Sequence, residues 1–168
     1  MQYLVAAVVL VGLLGVLNLL LTVGVIRRLR RQSAAPAADS LPPGTRIPQF
    51  AATTTSGEPI SDELLGTPAL IGFFSHGCRP CEDLLPLFVE RARGTSDAVL
   101  AVVVSAPGED SAAEAGLLAE VARVVTEPPQ GPLQTAFGVN AFPTVLTVGA
   151  GDTIVTSGHD LPAAAGAS

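Results

Sequence analysis

The chain contains no tryptophan and no lysine, one methionine, one tyrosine and only two cysteines in 168 residues. Charged residues make up 14%, well under the usual quarter of a globular chain. Nine arginines face fifteen Asp and Glu, for a formal net charge of -6. That balance argues against nucleic acid as a partner, because the phosphate backbone is bound by basic surfaces. With 48% apolar residues and a mean hydropathy of +0.49, the chain is not disordered either.

The scarcity of charge is uneven. Residues 3–26 hold no Asp, Glu, Lys, Arg or His. At about 1.5 Å per residue, a helix of that length reaches about 36 Å, enough to cross a hydrocarbon core. Asn18 and Thr22 are its only strongly polar side chains, and Tyr3 sits where an interfacial aromatic would. A cleaved signal peptide fits less well: nothing basic precedes the run, the run is long, and the small residues at 34–38 follow the arginines. An uncleaved transmembrane helix is expected over 3–26. Arg27, Arg28, Arg30 and Arg31 follow as a stop-transfer cluster, so residues 3–31 are expected to contact membrane lipid.

Residues 27–47 continue as a Pro/Ala-rich linker, and 48–168 form one domain of ordinary size. All fifteen acidic residues lie after Arg31, against five arginines, so this part is near 5 − 15 = −10.

The domain reads as alternating strand and helix. Residues 69–74 and 99–104 are short apolar runs, as in strands covered on both faces. Residues 81–93 carry helical spacing interrupted by Pro86. Residues 111–121 form a second helix, with Ser111 and Glu114 placed as a capping box. Residues 144–148 and 153–156 flank a Gly-Ala-Gly-Asp turn and predict a hairpin. The class is α/β with a mixed central sheet flanked by helices.

Both cysteines lie between the first strand and first helix, in Ser75-His76-Gly77-Cys78-Arg79-Pro80-Cys81. A structural zinc site needs about four ligands, and His76 with the remote His159 supply them poorly. A structural disulfide this short would close a very small loop and stabilise little. A redox dithiol accounts for the position. A helix N-terminus offers free N–H groups and a positive dipole end, which favour a thiolate. Cys78 at the helix mouth is expected to be the nucleophile and Cys81, one turn in, the resolving thiol. Arg79, Pro80 and His76 are the expected tuners of the Cys78 pKa. Further on, Pro143 precedes an apolar strand, and a cis Phe142-Pro143 bond is expected beside Cys78.

Residues 44–158 resemble the thioredoxin-fold redoxins of the TlpA type. Within these they resemble the membrane-anchored MauD-like (methylamine-utilisation accessory) branch. The matching pieces are Ile47-Pro48-Gln49-Phe50, Gly57 with Leu65, Phe73-Phe74-Ser75 leading into the two cysteines, Leu84-Leu85-Pro86, Gly138-Val139 and Phe142-Pro143-Thr144. The resemblance implies a thioredoxin-like fold behind one transmembrane helix, with attack by Cys78 and resolution by Cys81. It implies a substrate groove shaped by Phe142, Pro143 and Thr144. It also implies protein dithiol or disulfide substrates, a membrane electron donor, and no cofactor or metal beyond the Cys78–Cys81 pair. The chain departs from the pattern in places. Many members carry Trp where Gly77 stands, thioredoxins a buried acid where Gly72 stands, and TlpA-type proteins a Glu where Leu84 stands. The residues after Gly158 leave the usual final helix short or absent.

Other readings are weaker. A thiol peroxidase of the peroxiredoxin class needs a hydroxyl three residues before its cysteine. Ser75 supplies one, but the usual Pro three residues earlier is Gly72. Copper chaperones of this fold use CxxxC and a later His, whereas His159 reads as a solvated turn residue and His76 as a loop residue. A non-catalytic, membrane-tethered binding module is the remaining alternative. The membrane side is left open. The arginines place the domain in the cytoplasm by the positive-inside bias, and the resemblance places it outside, where disulfides persist.

Overall fold

The computed structural model describes residues 39–162 continuously, together with Met1, Gly12, Gly15, Asn18 and Leu19. The chain divides into two compact units, Met1–Ala37 and Ala38–Ser168. In the first, Gly12, Gly15, Asn18 and Leu19 are helical. The rest of the expected span 3–26, the arginine cluster and the linker as far as residue 38 lie outside the described residues, as do 163–168. Among the described residues no helix is long and apolar enough to cross a membrane.

The second unit opens with a hairpin of β1 (Ala51–Thr53) and β2 (Pro59–Ser61), followed by α1 (Asp62–Leu65). Then come β3 (Ala69–Ser75), α2 (Arg79–Arg93), β4 (Ala98–Val104), α3 (Ala112–Ala119) and β5 (Arg123–Glu127). The last elements are α4 (Pro132–Ala136), β6 (Thr144–Gly149) and β7 (Thr153–Gly158). The main sheet has the order β5-β4-β3-β6-β7; β3, β4 and β5 are parallel, and β6 runs antiparallel to both its neighbours, β3 and β7. It is the mixed sheet that the strand and helix order predicts.

Both faces of β3 are buried, which is why it reads as an unbroken apolar run. Ile71 and Phe73 point into a core with Phe50, Ile60, Leu133 and Phe137. Leu70 and Phe74 point the other way, into a core with Leu84, Leu85, Phe88 and Leu118 from α2 and α3. The central strand is thereby clamped between two layers, and the loop at its C-terminal end is tied to β4 by the His76 amide, which donates to the Val104 carbonyl at 2.9 Å.

Helix α2 runs through Pro86 without a break. The expected capping box on α3 is not formed. Ser111 makes no side-chain cap bond; its hydroxyl donates instead to Ser105 Oγ, 3.2 Å away. Glu114 is drawn off to His76, with Oε1 2.8 Å from Nδ1. Tertiary partners outbid a local motif here.

Two pieces escape the sequence pattern. Strand β5 has only Val124 and Val125 as an apolar pair between polar neighbours. Helix α4 is five residues long and is capped from a distance: Glu127 is buried, and its carboxylate accepts from the amides of Leu133 at 2.9 Å and Gln134 at 2.7 Å. Residues 39–47, which composition reads as linker, are bonded into the fold. The Leu41 amide donates to Phe137 at 3.0 Å, Gly44 to Ile154 at 2.8 Å and Ile47 to Asp152 at 2.8 Å.

Candidate functional site: a dithiol at the mouth of a helix

Strand β3 ends at Ser75, and the chain turns through Gly77, whose φ of 67° is in the left-handed region that glycine adopts freely. Cys78 is the N-cap of α2, with extended backbone at φ −89° and ψ 107°. Its sulfur lies 3.3 Å from the amide nitrogen of Cys81 in the first turn, whose N–H also donates to the Cys78 carbonyl at 2.9 Å. Pro80 sits in that same turn, where its missing N–H costs nothing. This is the geometry in which the backbone dipoles of a helix N-terminus favour a thiolate on the capping residue.

Cys78 and Cys81 are joined as a disulfide, with Cα atoms 5.2 Å apart. The two sulfurs differ in exposure. Cys78 is half-buried at the surface, while Cys81 is only 3% exposed and packs with Phe74, Leu84 and Leu85. Cys78 is thus the outer residue of the pair and Cys81 the inner one.

The Phe142–Pro143 bond is cis. The carbonyl oxygen of Phe142 lies 3.8 Å from Cys78 Sγ, so the segment 142–144 stands directly beside the outer cysteine. Pro143 and Thr144 are buried, and the Thr144 hydroxyl donates to the Ala141 carbonyl at 2.7 Å. Next to the dithiol, a cleft of about 510 Å³ is lined by Pro80, Leu84 and Leu87 of α2 on one side and Phe142, Pro143 and His159 on the other. Leu87 is 52% exposed, an apolar side chain left open on the rim.

The remaining candidates are placed as follows. Arg79 is exposed and makes no ion pair among the described residues. The ring of His76 is taken by Glu114 of α3; the carboxylate can only accept, so Nδ1 carries the proton. His159 is not merely a solvated turn residue. Although its side chain is 48% exposed, it bonds the Pro143 carbonyl through Nδ1 at 2.7 Å and Asp39 Oδ2 through Nε2 at 3.0 Å. Sequence reasoning missed this pair because Asp39 lies 120 residues away, in a stretch read as linker. Among the described residues no group of three or more His, Cys, Asp or Glu could hold a metal ion.

At Gly72, where thioredoxins carry a buried acid, the space is filled by aromatic rings. A Cβ added there would stand 2.7 Å from both Phe74 and Phe88.

No family model matches the chain, and no curated protein matches it. Solved structures do. A thio-disulfide isomerase from Thermus thermophilus is 19% identical with a TM-score of 0.56, over 73% of this chain and 89% of that one. A secreted disulfide oxidoreductase from Mycobacterium tuberculosis is 24% identical with a TM-score of 0.53, over 70% and 88%. The thioredoxin domain of a thiol-disulfide oxidoreductase from Bacteroides vulgatus is 18% identical with a TM-score of 0.53, over 70% and 89%. The fold is thioredoxin-like.

Proposed function

We propose that the chain is a membrane-anchored thiol–disulfide oxidoreductase acting on protein dithiols or disulfides, of the TlpA type and nearest its MauD-like branch. One observation carries the catalytic part: a bonded Cys78–Cys81 pair at the mouth of α2, the outer sulfur half-exposed beside the Phe142 carbonyl and the inner one buried. Solved structures of the same fold that are named as thiol–disulfide enzymes support it.

In the reducing direction the Cys78 thiolate attacks one sulfur of a substrate disulfide. The substrate S–S bond breaks, a mixed disulfide forms, and the released substrate thiolate takes a proton from water. Cys81 then loses its proton and attacks Cys78 Sγ. The Cys78–Cys81 disulfide forms, and the second substrate sulfur leaves as a thiol. Two electrons pass from the protein dithiol to the substrate, and the same steps reversed oxidise a substrate dithiol.

The reactivity of the thiols tests this. In reduced full-length protein in detergent, iodoacetamide is expected to modify Cys78 at a pH well below the ~8.5 of an ordinary thiol, and Cys81 slowly. Equal rates and an unshifted profile for the two would remove the assigned roles.

The anchor is the apolar segment 3–26, with the arginines at 27–31 against lipid head groups. A membrane-impermeant thiol reagent applied to intact cells distinguishes the two faces: reduced Cys78 is labelled at once if the domain is outside, and only after lysis if it is inside. Full-length protein in the soluble fraction without detergent would defeat the anchor.

A further inference from the structure

We propose that His159, as an imidazolium, is a positioning residue: it ties the cleft wall at Phe142 and Pro143 to Asp39, in the first described stretch of the second unit. The role in exchange rests on the oxidoreductase reading; the charged tie itself does not.

The geometry favours the charge. Nδ1 lies 2.7 Å from the Pro143 carbonyl oxygen and Nε2 lies 3.0 Å from Asp39 Oδ2. A carbonyl oxygen only accepts, and so does an ionised carboxylate. A neutral imidazole has one N–H and one lone pair, so its lone pair would face one of these oxygens. Both contacts are hydrogen bonds only when both nitrogens are protonated.

The surroundings favour that form. Asp39 faces the ring from the first described stretch of the second unit, Asp160 from its own segment, and Asp83 lines the same cleft from α2. No arginine lines the cleft. The Pro143 carbonyl, then Asp39 and Asp160, hold the His159 pKa above its ordinary 6.5, against the opposing effect of burial. A raised folded pKa sets the sign. The contribution is full below pH 6.5 and is lost as pH rises through the higher folded value.

Asp39 is itself fixed. Its carbonyl accepts from the Asn140 amide at 2.9 Å, and the Leu41 amide donates to Phe137 at 3.0 Å. Residue 40 is held as well, its hydroxyl bonded to that of Ser157. Three stretches, 39–41, 137–144 and 157–160, are thus bonded to one another around the ring, which itself contacts Asp39 and Pro143. The carbonyl His159 holds belongs to Pro143, next to the carbonyl that touches Cys78 Sγ. Deprotonation gives up one of the two bonds and loosens the edge of the cleft against which a protein substrate would lie. A small disulfide needs only Cys78, so the pH response should separate large from small substrates.

Two measurements on full-length protein in detergent micelles test this. In imidazole- and amide-labelled protein, His159 is expected to titrate with a midpoint above 6.5, with the Phe142 and Thr144 amides following the same curve. Asp39→Asn should lower both midpoints together, and His159→Gln should abolish the amide response. A midpoint at or below 6.5, or amides that stay still, overturns the tie. In the second, insulin and glutathione disulfide are reduced in parallel. The insulin-to-glutathione rate ratio is expected to fall about tenfold as pH rises through the His159 midpoint, the size set by one charge-assisted hydrogen bond. In His159→Gln the ratio should not vary with pH. A ratio that is flat in the wild type, or one that varies identically in the variant, overturns the role in positioning. If neither disulfide is exchanged by the wild type, the oxidoreductase reading falls, and the titration still decides the tie.

Discussion

Replacing Cys81 with alanine is expected to arrest the full-length protein as mixed disulfides with its substrates, whereas replacing Cys78 abolishes both turnover and capture. The asymmetry comes from position. Cys78 caps α2, is half-buried at the surface and lies 3.8 Å from the Phe142 carbonyl, at the wall of the cleft. Cys81 is 3% exposed, behind Cys78 and against Phe74. On the proposed reading, a substrate sulfur is expected to reach the first and not the second. Without Cys81 the intermediate has no internal thiol to resolve it, so it persists until an external thiol arrives. Non-reducing electrophoresis of detergent extracts should show new high-mass species for Cys81→Ala that dithiothreitol releases. Cys78→Ala should show none, and steady-state exchange should drop to background in both. The same experiment separates an enzyme from a tethered binding module: a binder would give no thiol-sensitive species with either variant. Comparable trapping by both single variants would show that the sulfurs are equally accessible, and would end the division of roles.

Much of this site is legible in the sequence because the chemistry is local. The two cysteines, the preceding apolar strand and the following helix occupy consecutive residues 69–93, so spacing alone puts the dithiol at a helix mouth. The buried strands β3 and β4 announce themselves as unbroken apolar runs, and the β6–β7 hairpin by its glycine turn. What the sequence hides is held by side-chain polar bonds that no periodicity marks. Strand β5 is short and ends on Glu127, whose carboxylate serves α4 rather than solvent. Glu114 looks like half of a capping box and is instead the partner of His76, 38 residues back. His159 and Asp39 sit in glycine-, proline- and alanine-rich surroundings that carry no periodicity, and only the folded chain brings them together. Hydrophobic patterning reports which face is buried; it does not report which distant oxygen a given N–H will find.

Gly72→Ala is expected to destabilise the domain by about 1–3 kcal/mol, as overpacking of a dense core does. On propensity alone the opposite sign would follow, because glycine inside a strand loses more backbone entropy on folding than alanine. Packing decides against that gain. Gly72 is the middle residue of β3, paired with Ala101 on one side and Val145 on the other, so its backbone cannot shift without breaking two ladders. The new methyl would stand 2.7 Å from Phe74 Cε2 and 2.7 Å from Phe88 Cε2. Those rings meet edge to face, centroids 5.1 Å apart at 78°, and they are 1% and 0% exposed. Neither is the loose end of a flexible chain, so relief requires rotating a buried ring out of its packing. Gly72→Asp adds a carboxylate with no partner in an apolar layer, a further cost of several kcal/mol, and should prevent folding. The acid found at this position in thioredoxins is therefore incompatible with the aromatic pair that this chain has built there. Urea unfolding of the full-length protein in detergent measures the effect. The midpoint should fall for Gly72→Ala with the slope unchanged. Combining it with Phe88→Leu should recover part of the loss, giving a non-additive double-mutant cycle between contacting sites. A Gly72→Ala protein as stable as the wild type would mean that the rings yield freely, and that the missing acid has some other cause.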